Sequence, residues 1–352
     1  MKRLRAALAG ATGAVGQRYV TMLRDHPFIR LEVLMGNESA GKSYGEAVRW
    51  LDSTQLDERY ASAEVSPTSP RSADGCDIVF SALPSVAAEK AEKEFAKAGF
   101  TVISEASAHR MEPDVPLIVP EVNHEHLGLI ERQRKRRGWK GAIVATPNCT
   151  VTGLVLALKP LTDRYALKKC VVTTMQAVSG AGYPGVPSLD VIENVIPYIK
   201  DEEEKVSSES GKILGLFSSG SVSRARIQLA VSCNRVPVLE GHTESFYGEF
   251  GSPVDPAEAE EAMASFVSLP QRLCLPTAPE RPIVVRRERD RPQPRLDRMA
   301  GSVPGMSVVV GRVRRGIGPR SLQFTLLSHN TVRGAAGNAI LTAELMRSRG
   351  VL

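Results

Sequence analysis

A short apolar segment, residues 4–9 (Leu-Arg-Ala-Ala-Leu-Ala), runs straight into Gly10-Ala-Thr-Gly13-Ala-Val-Gly16 and then into an amphipathic stretch, residues 17–24. Strand, glycine turn and helix start in that order predict a parallel sheet whose first crossover helix opens on a turn able to take an anion. Glycines let the backbone approach, and the free N–H groups of a helix N-terminus meet the negative charge. The spacing is GxxGxxG rather than the GxGxxG of the usual dinucleotide fingerprint, and such a turn also serves tight helix–strand packing.

The segments that follow continue the alternation. Residues 31–35, 76–83, 101–104, 116–120 and 142–145 read as short strands, with helices between several of them, notably 85–98 and 124–136. Alternating strands and helices predict a mostly parallel, doubly wound sheet, with ligands bound beyond the carboxyl ends of its strands. Gly10, Ser81 and Asn148 fall at such ends. Beyond residue 149 the strands lengthen: 168–178, 227–238, 305–313 and 322–328 predict a second, largely antiparallel sheet. Residues 330–352 read as a closing helix with an Asn-Thr cap, packed back on the first domain. The expected fold is therefore α/β: a Rossmann-type dinucleotide-binding domain with a doubly wound parallel sheet over 1–149 plus 330–352, and a second, α+β domain with a largely antiparallel sheet over 150–329. Two mostly polar stretches, 62–72 and 280–294, read as loops, and no internal repeat is present.

With 352 residues, 42% of them hydrophobic, the chain can bury two cores. Five cysteines (Cys76, Cys149, Cys170, Cys233, Cys274) without paired spacing argue against a disulfide framework and for a reducing compartment. The N-terminus carries Lys2, Arg3 and Arg5 but runs into the first strand without a cleavable signal, and no apolar stretch nears the roughly 18 residues that span a bilayer. A cytoplasmic protein is expected. The net charge is +6, and basic residues concentrate in 132–140 and 281–298; the run 132–137 (Arg-Gln-Arg-Lys-Arg-Arg) lacks interleaved aromatics. They read as solvated surface rather than a nucleic-acid site, and anionic substrates suit the same balance.

One cysteine has a distinctive setting. Cys149 follows Thr146-Pro147-Asn148 and precedes the apolar run 151–161, so it sits at a helix N-terminus. The positive end of the helix dipole there favours a thiolate nucleophile, whereas an arbitrary cysteine is more often a small buried hydrophobe. A thiol attacking a carbonyl needs a proton carrier, and histidine is the side chain whose ordinary pKa suits the task. Of six histidines, His242 stands out through Arg235, seven residues earlier, which offers a bidentate guanidinium to a carboxylate.

These segments, together with 39–42 (Ser-Ala-Gly-Lys), 81–84 (Ser-Ala-Leu-Pro), 115–123, 147–150 (Pro-Asn-Cys-Thr), 176–182 (Gln-Ala-Val-Ser-Gly-Ala-Gly), 194–199 and 330–337 (Asn-Thr-Val-Arg-Gly-Ala-Ala-Gly), resemble aspartate-β-semialdehyde dehydrogenase of the archaeal and fungal branch nearly end to end. The resemblance implies that Cys149 forms a thioester, His242 acts as general acid and base, and Gln176 orients the substrate. It further implies that Arg235 binds the amino-acid carboxylate, Glu209 lies near the amino group, and Arg110 and Lys212 take phosphate, with Asn148 beside the nucleophile. Cofactor contacts are implied at Gly10, Thr12, Gly13, Ala14, Val15, Gly16, Ser39, Lys42, Ser81, Leu83, Ser179, Gly180 and Asn330, the last holding the nicotinamide carboxamide. No metal is expected.

The implied reaction is reductive dephosphorylation of aspartyl phosphate to the semialdehyde in lysine, threonine and methionine biosynthesis. Ser39 and Lys42 favour NADP, while Glu38 would suit the ribose diol of NAD or simply face solvent. The alternatives are a malonyl- or succinyl-CoA reductase of the same superfamily and, from another class, a nucleotide-binding regulator without activity. Beyond its small-molecule substrate and phosphate, the expected partner is a second copy, in a homodimer or homotetramer to which residues 190–199 contribute unless they pack internally; neither nucleic acid nor membrane is expected.

Overall fold

The computed structural model describes residues 3–352. Six parallel strands, β1 (Leu4–Ala9), β2 (Ile29–Met35), β3 (Val65–Ser66), β4 (Ile78–Ser81), β5 (Thr101–Ser104) and β6 (Ala142–Ala145), form a sheet in the order β3-β2-β1-β4-β5-β6. Strands β4, β5 and β6 are buried on both faces, as the strands of parallel sheets usually are. Ala6 and Leu8 pack with Tyr19, Val20 and Leu23 of α1 (Ala14–Leu23). On the opposite face Ala7 and Ala9 join Phe95 of α2 (Ser85–Ala98) and Val151 and Leu154 of α4 (Cys149–Tyr165). A third helix of this region, α3 (Leu129–Arg137), is preceded by a 3-10 turn, His124–Gly128, so that the single helix expected over 124–136 is divided.

The second sheet runs β10-β7-β11-β14-β13-β12, from β7 (Leu167–Gln176), β10 (Gln228–Arg235), β11 (His242–Phe250), β12 (Ile283–Arg286), β13 (Val308–Arg315) and β14 (Ser321–Ser328). Its inner pairs are antiparallel, and the pair at each edge is parallel. The chain also forms a small hairpin, β8 (Leu216–Ser218) with β9 (Ser221–Ser223), following α5 (Glu202–Ile213). Helix α4 lies between the two large sheets. Its apolar residues share one core with Val79, Val102 and Ile143 on one side and Val172, Phe246, Phe324 and Leu326 on the other. Each such buried side chain contributes about 1.5–3 kcal/mol, so α4 holds the sheets together and its first turn is fixed relative to both.

Four expectations are corrected. Residues 116–120 are not a strand: Pro116 and Pro120 lack N–H donors, only Leu117 bridges to Ala145, and Pro120 starts a helical turn. The edge strand is instead β3, inside the stretch 62–72 read as a loop. Strand β12 likewise lies inside the polar stretch 280–294. At the C-terminus a π-type turn, Val332–Ala336, precedes α6 (Gly337–Ser348), and Asn330 caps neither: its amide ties other loops together. Helix α6 does pack on the first sheet, through Ile340, Leu341 and Leu345.

Candidate active site

Asn148 is the N-cap of α4. Its Oδ1 accepts from the N–H groups of Thr150 (2.9 Å) and Val151 (3.3 Å), and this bond pattern makes Cys149 the first helical residue. Two glutamates seven residues apart on α5 grip the same asparagine. The Asn148 main-chain N–H donates to Glu209 Oε2 at 2.7 Å, and its Nδ2 donates to Glu202 Oε1 at 2.9 Å. Gly334 closes the other side, where a Cβ would lie 2.7 Å from that of Cys149. Glu202 was not singled out from the sequence; nothing local marks it among three successive glutamates.

The second sheet supplies the facing groups in one cross-strand row. Arg235 of β10 pairs with Gln176 of β7, and the register of β7 with β11 brings His242 level with Gln176. Cys149 Sγ lies 3.1 Å from His242 Nε2, while His242 Nδ1 accepts the main-chain N–H of Ala177 at 3.1 Å. A lone pair committed at Nδ1 assigns the proton of the neutral ring to Nε2, facing sulfur. Burial, reinforced by the charges of Arg235 and His329, pushes His242 down to about 3. The ring is therefore a neutral donor at ordinary pH.

Burial also dominates at the nucleophile. It pushes the Cys149 thiol up to about 12, with Glu202 adding to the rise and Arg110 and Arg235 opposing it. The helix-start argument predicts a favoured thiolate, and here desolvation outweighs the dipole. The thiolate forms only when a new interaction compensates, and the cations and the Nε2–H are placed to contribute to it.

Arg235 donates through Nη1 to Ala177 O at 2.7 Å, under Gly180, whose Cβ would meet that nitrogen at 2.9 Å and His242 Nε2 at 3.2 Å. Arg110 pairs with Glu209 Oε1 at 3.0 Å and donates to Glu105 O at 2.6 Å, and its buried Nε has no partner among the described residues. Lys212 differs from what the resemblance implies. Its ammonium donates to the carbonyls of Arg110 (2.6 Å), Glu112 (2.8 Å) and Val115 (2.8 Å), so its three protons strap the loop 110–115. A phosphate would have to displace one of them.

At the glycine turn Gly10 has φ +78°, and a Cβ there would lie 2.6 Å from Ala82 O. A Cβ on Gly16 would lie 2.3 Å from Gly10 O, so both close approaches require glycine. The first-turn amides of α1 at Ala14, Val15 and Gly16, entered from Gly13 without a side-chain cap, suit a pyrophosphate. Thr12 and Leu83 flank this turn, half-buried. Ser39 is half-buried and Lys42 and Glu38 are exposed in the loop after β2. Ser81 departs from expectation: its buried hydroxyl donates to Glu92 at 2.7 Å, and its carbonyl accepts the Glu105 N–H at 2.9 Å.

Asn330 accepts from Gly241 N–H (2.9 Å) and donates to Ser179 Oγ (2.8 Å), tying the implied nicotinamide residues to the loop that carries His242. Arg18 of α1, also unmarked in the sequence, pairs with Asp52 at 2.5 Å and with Glu240 in that same loop. His329 faces Glu240 at 3.4 Å, and His26 and His126 are occupied by Glu344 and by Asn123 with Gly215 O. Among the described residues no group of three His, Cys, Asp or Glu is arranged to hold a metal ion.

A family model described as semialdehyde dehydrogenase, NAD binding domain, matches residues 5–130, and one described as semialdehyde dehydrogenase, dimerisation domain, matches residues 158–333. The chain belongs to the semialdehyde dehydrogenase family. Similar relatives include an aspartate-semialdehyde dehydrogenase of Archaeoglobus fulgidus, 54% identical, with 98% of each chain covered. A malonyl CoA reductase (NADP) of Metallosphaera sedula is 46% identical, covering 100% of this chain and 99% of the relative. The crystal structure of aspartate semialdehyde dehydrogenase with NADP from Candida albicans superposes with a TM-score of 0.90 at 36% identity, covering 99% of this chain and 100% of that one. In semialdehyde dehydrogenase terms, the glycine turn lies within the first matched region and Gln176, Glu209, Lys212, Arg235 and His242 within the second, while Cys149 falls in the segment joining them.

Proposed function

We propose that this semialdehyde dehydrogenase family member reduces L-aspartyl 4-phosphate to L-aspartate 4-semialdehyde with NADPH, reversibly, for lysine, threonine and methionine biosynthesis. The observation that carries the reading is Cys149 Sγ 3.1 Å from His242 Nε2, within the field of Arg235 and of the Arg110 that pairs with Glu209. Arg235 retains donors for the substrate carboxylate. Glu209 has lone pairs left for an ammonium, and Arg110 has its unpaired Nε for phosphate.

In this reading the Cys149 thiol gives its proton to a phosphate oxygen of the substrate, its sulfur bonds the acyl carbon, and the carbon–oxygen bond to phosphate breaks, the leaving phosphate taking the electron pair and carrying the proton away. His242 donates Nε2–H to sulfur and then to the oxygen anion of the tetrahedral intermediate. It cannot take a second proton without opposing two N–H groups at Nδ1, so the general-base role that the resemblance implies is replaced by that of a neutral donor. Gln176, buried beside His242, orients the acyl group. Bound NADPH supplies the hydride that reduces the thioester. The glycine turn, with its two close approaches, fits the pyrophosphate of such a cofactor, Ser39 and Lys42 the 2′-phosphate, and Ser179, Gly180 and Asn330 the nicotinamide end.

A second reading, reduction of a malonyl- or succinyl-CoA thioester, is favoured by one observation. Lys212 has its protons committed to main-chain carbonyls, which leaves Arg110 as the phosphate cation of the implied pair. Steady-state kinetics in the semialdehyde-oxidising direction, with phosphate and coenzyme A varied separately, decide between them. Saturation by phosphate without coenzyme A is expected; activity that needs coenzyme A and ignores phosphate overturns the assignment.

A homodimer is part of the proposal. Val171 and Tyr247 line the open outer face of the second sheet, and Leu189, Ile192, Val195 and Tyr198 are exposed on the adjoining segment. These side chains belong to the region matched as a dimerisation domain. Light scattering of the purified enzyme should give twice the monomer mass, and Val171→Lys should lower it. Five free cysteines fit a reducing cytoplasm, and among the described residues no helix is long and apolar enough to cross a membrane.

A further inference from the structure

Glu244 is unused by the reaction above and is unlike any other group near it. Strand alternation puts it on the same face of β11 as His242, one step behind. There it lies opposite Thr174 of β7 and Leu326 of β14, and Thr174 lies opposite Cys233 of β10. The catalytic row Arg235–Gln176–His242 is thus backed by a second row, Cys233–Thr174–Glu244–Leu326. Glu244 is fully buried, and neither of its carboxyl oxygens has a partner among the described residues.

The start of α5 lies at the β10 edge of this second row, because Cys233 N–H donates to Glu203 Oε1 at 3.0 Å. That contact brings Glu202 to the row. Glu202 reaches forward as well, with Oε1 accepting from Asn148 Nδ2 at 2.9 Å and from Thr150 Oγ1 at 3.5 Å. We propose that Glu244 holds a proton at working pH and shares it with Glu202, so that the pair carries one negative charge and positions Asn148 and the Cys149 turn.

The surroundings give the reason. The groups facing Glu244 are Thr174 from β7, the Cys233 thiol from β10, Leu326 from β14, Glu202 from α5 and neutral His242 on its own strand. None is a cation; Arg235 stands in the front row and is turned to Ala177 O. An ionised carboxylate there would be buried, unpaired and next to a second carboxylate. Burial and the Glu202 charge both push Glu244 well above the usual carboxylate range. Two buried carboxyls close enough for the charge of one to act on the other keep one proton between them, and the O–H of Glu244 is then directed to Glu202 as its acceptor. Since the Glu202 charge raises the Cys149 thiol, a pair limited to one charge limits that rise as well. Glu244 is a positioning residue, acting through Glu202 and Asn148.

The inference rests on Cys149 as nucleophile for its consequence, but not for its first test. Infrared difference spectra at neutral pH should show a protonated-carboxyl C=O stretch in the wild type that Glu244→Gln lacks. Glu202→Gln should move the alkaline titration of that stretch to lower pH, because the repelling charge is gone; no lost stretch, or an unmoved titration, overturns the pair. The consequence is read by iodoacetamide labelling of Cys149 in a Cys274→Ser background, since Cys274 is the exposed competitor.

Glu244→Gln keeps a donor and should label within about threefold of wild type. Glu244→Leu removes the proposed O–H donor from Glu202, leaving it with Asn148 and Thr150 alone, and should label at least about tenfold more slowly with the melting temperature checked alongside. Equal loss in both variants, or none in Glu244→Leu, overturns the positioning role. Should Glu244→Leu fail to fold, the two infrared measurements on Glu244→Gln and Glu202→Gln decide alone. A protein with the stretch but no semialdehyde activity loses the proposed function and keeps this inference; one with the activity and no stretch loses only this inference.

Discussion

Gly10, Asn148 and Cys149 stand where strands of the first sheet give way to helices, whereas Gln176, Arg235 and His242 stand in one row across the second sheet. The first three are positioned by turns and caps a few residues long. The second three are positioned by strand pairing, and Cys149 meets His242 across 93 residues of sequence. The nucleophile's half of the site is local and the proton-handling half is assembled. Different substitutions should therefore fail in different ways.

The largest effect belongs to the local half. Cys149→Ser keeps the N-cap of α4 and removes the only atom able to form the thioester, so turnover should fall by more than about 10³-fold while cofactor affinity, measured by fluorescence titration, stays near wild type. Serine turning over at the wild-type rate would mean that no covalent intermediate forms and that the local half merely packs.

His242 tests the assembled half. His242→Ala should cost roughly 10²–10⁴-fold in kcat with a smaller change in KM. A loss confined to KM would make the ring a binding group. The structure also sets a sign for pH. His242 is held neutral down to about 3, whereas in the unfolded chain it takes up a proton below its ordinary value of about 6.5. The unfolded chain therefore binds more protons between those values, and stability falls as pH drops through that window, by about 1.4 kcal/mol per unit. Glu244 acts at the other side: its folded value is raised, so its contribution is complete at low pH and is lost as pH rises above the unfolded value near 4.3. His242→Asn should accordingly gain melting temperature relative to wild type on going from pH 7 to 5, and Glu244→Gln on going from pH 5 to 8. Parallel curves for wild type and variants would remove the buried neutral pair from the account.

The same division explains what the chain discloses in its sequence. Strands β4, β5 and β6 are apolar runs buried on both faces, and helix α2 begins and ends where its pattern does; such elements carry their own signal. Strand β3 is two residues long, and β12, with its Val-Val-Arg, is an edge embedded in charged sequence, so neither has a periodicity to find. Cys149 was legible because Pro-Asn precedes it and an apolar run follows. Glu202, Arg18 and the Ala177 N–H were not, because each matters only through a partner brought in by tertiary packing. Lys212 shows the reverse hazard. Its position matches a family pattern while its three protons are already engaged.

Lys212 can be asked directly which half it serves. Lys212→Met leaves three carbonyls of the loop 110–115 without their donor inside the protein, and a loss of about 2–4 kcal/mol is expected, read as a melting temperature lower by several degrees. Since Arg110 belongs to that loop, the KM for phosphate should rise as a consequence, and Arg110→Gln should raise it without the same loss of stability. A stable Lys212→Met variant with a raised phosphate KM would instead make the lysine a direct phosphate ligand, as the resemblance implies, and the strap incidental.

The smallest expected effect lies at the edge of the local half, in the loop after β2. Lys42 and Glu38 are both exposed there, and Ser39 is half-buried between them. An exposed ammonium meeting a phosphate dianion forms a charge-assisted contact that solvent weakens, so Lys42→Ala should raise the KM for NADP by no more than about tenfold and leave that for NAD nearly unchanged. Among the described residues Glu38 has no hydrogen-bond or ion-pair partner that would turn it toward the cofactor, and Glu38→Gln should shift the NADP-to-NAD ratio by less than about twofold, the scale of one screened surface charge. A larger shift on removing Glu38 than on removing Lys42 would mean that the carboxylate, not the ammonium, faces the adenosine ribose, and the cofactor preference would pass to NAD.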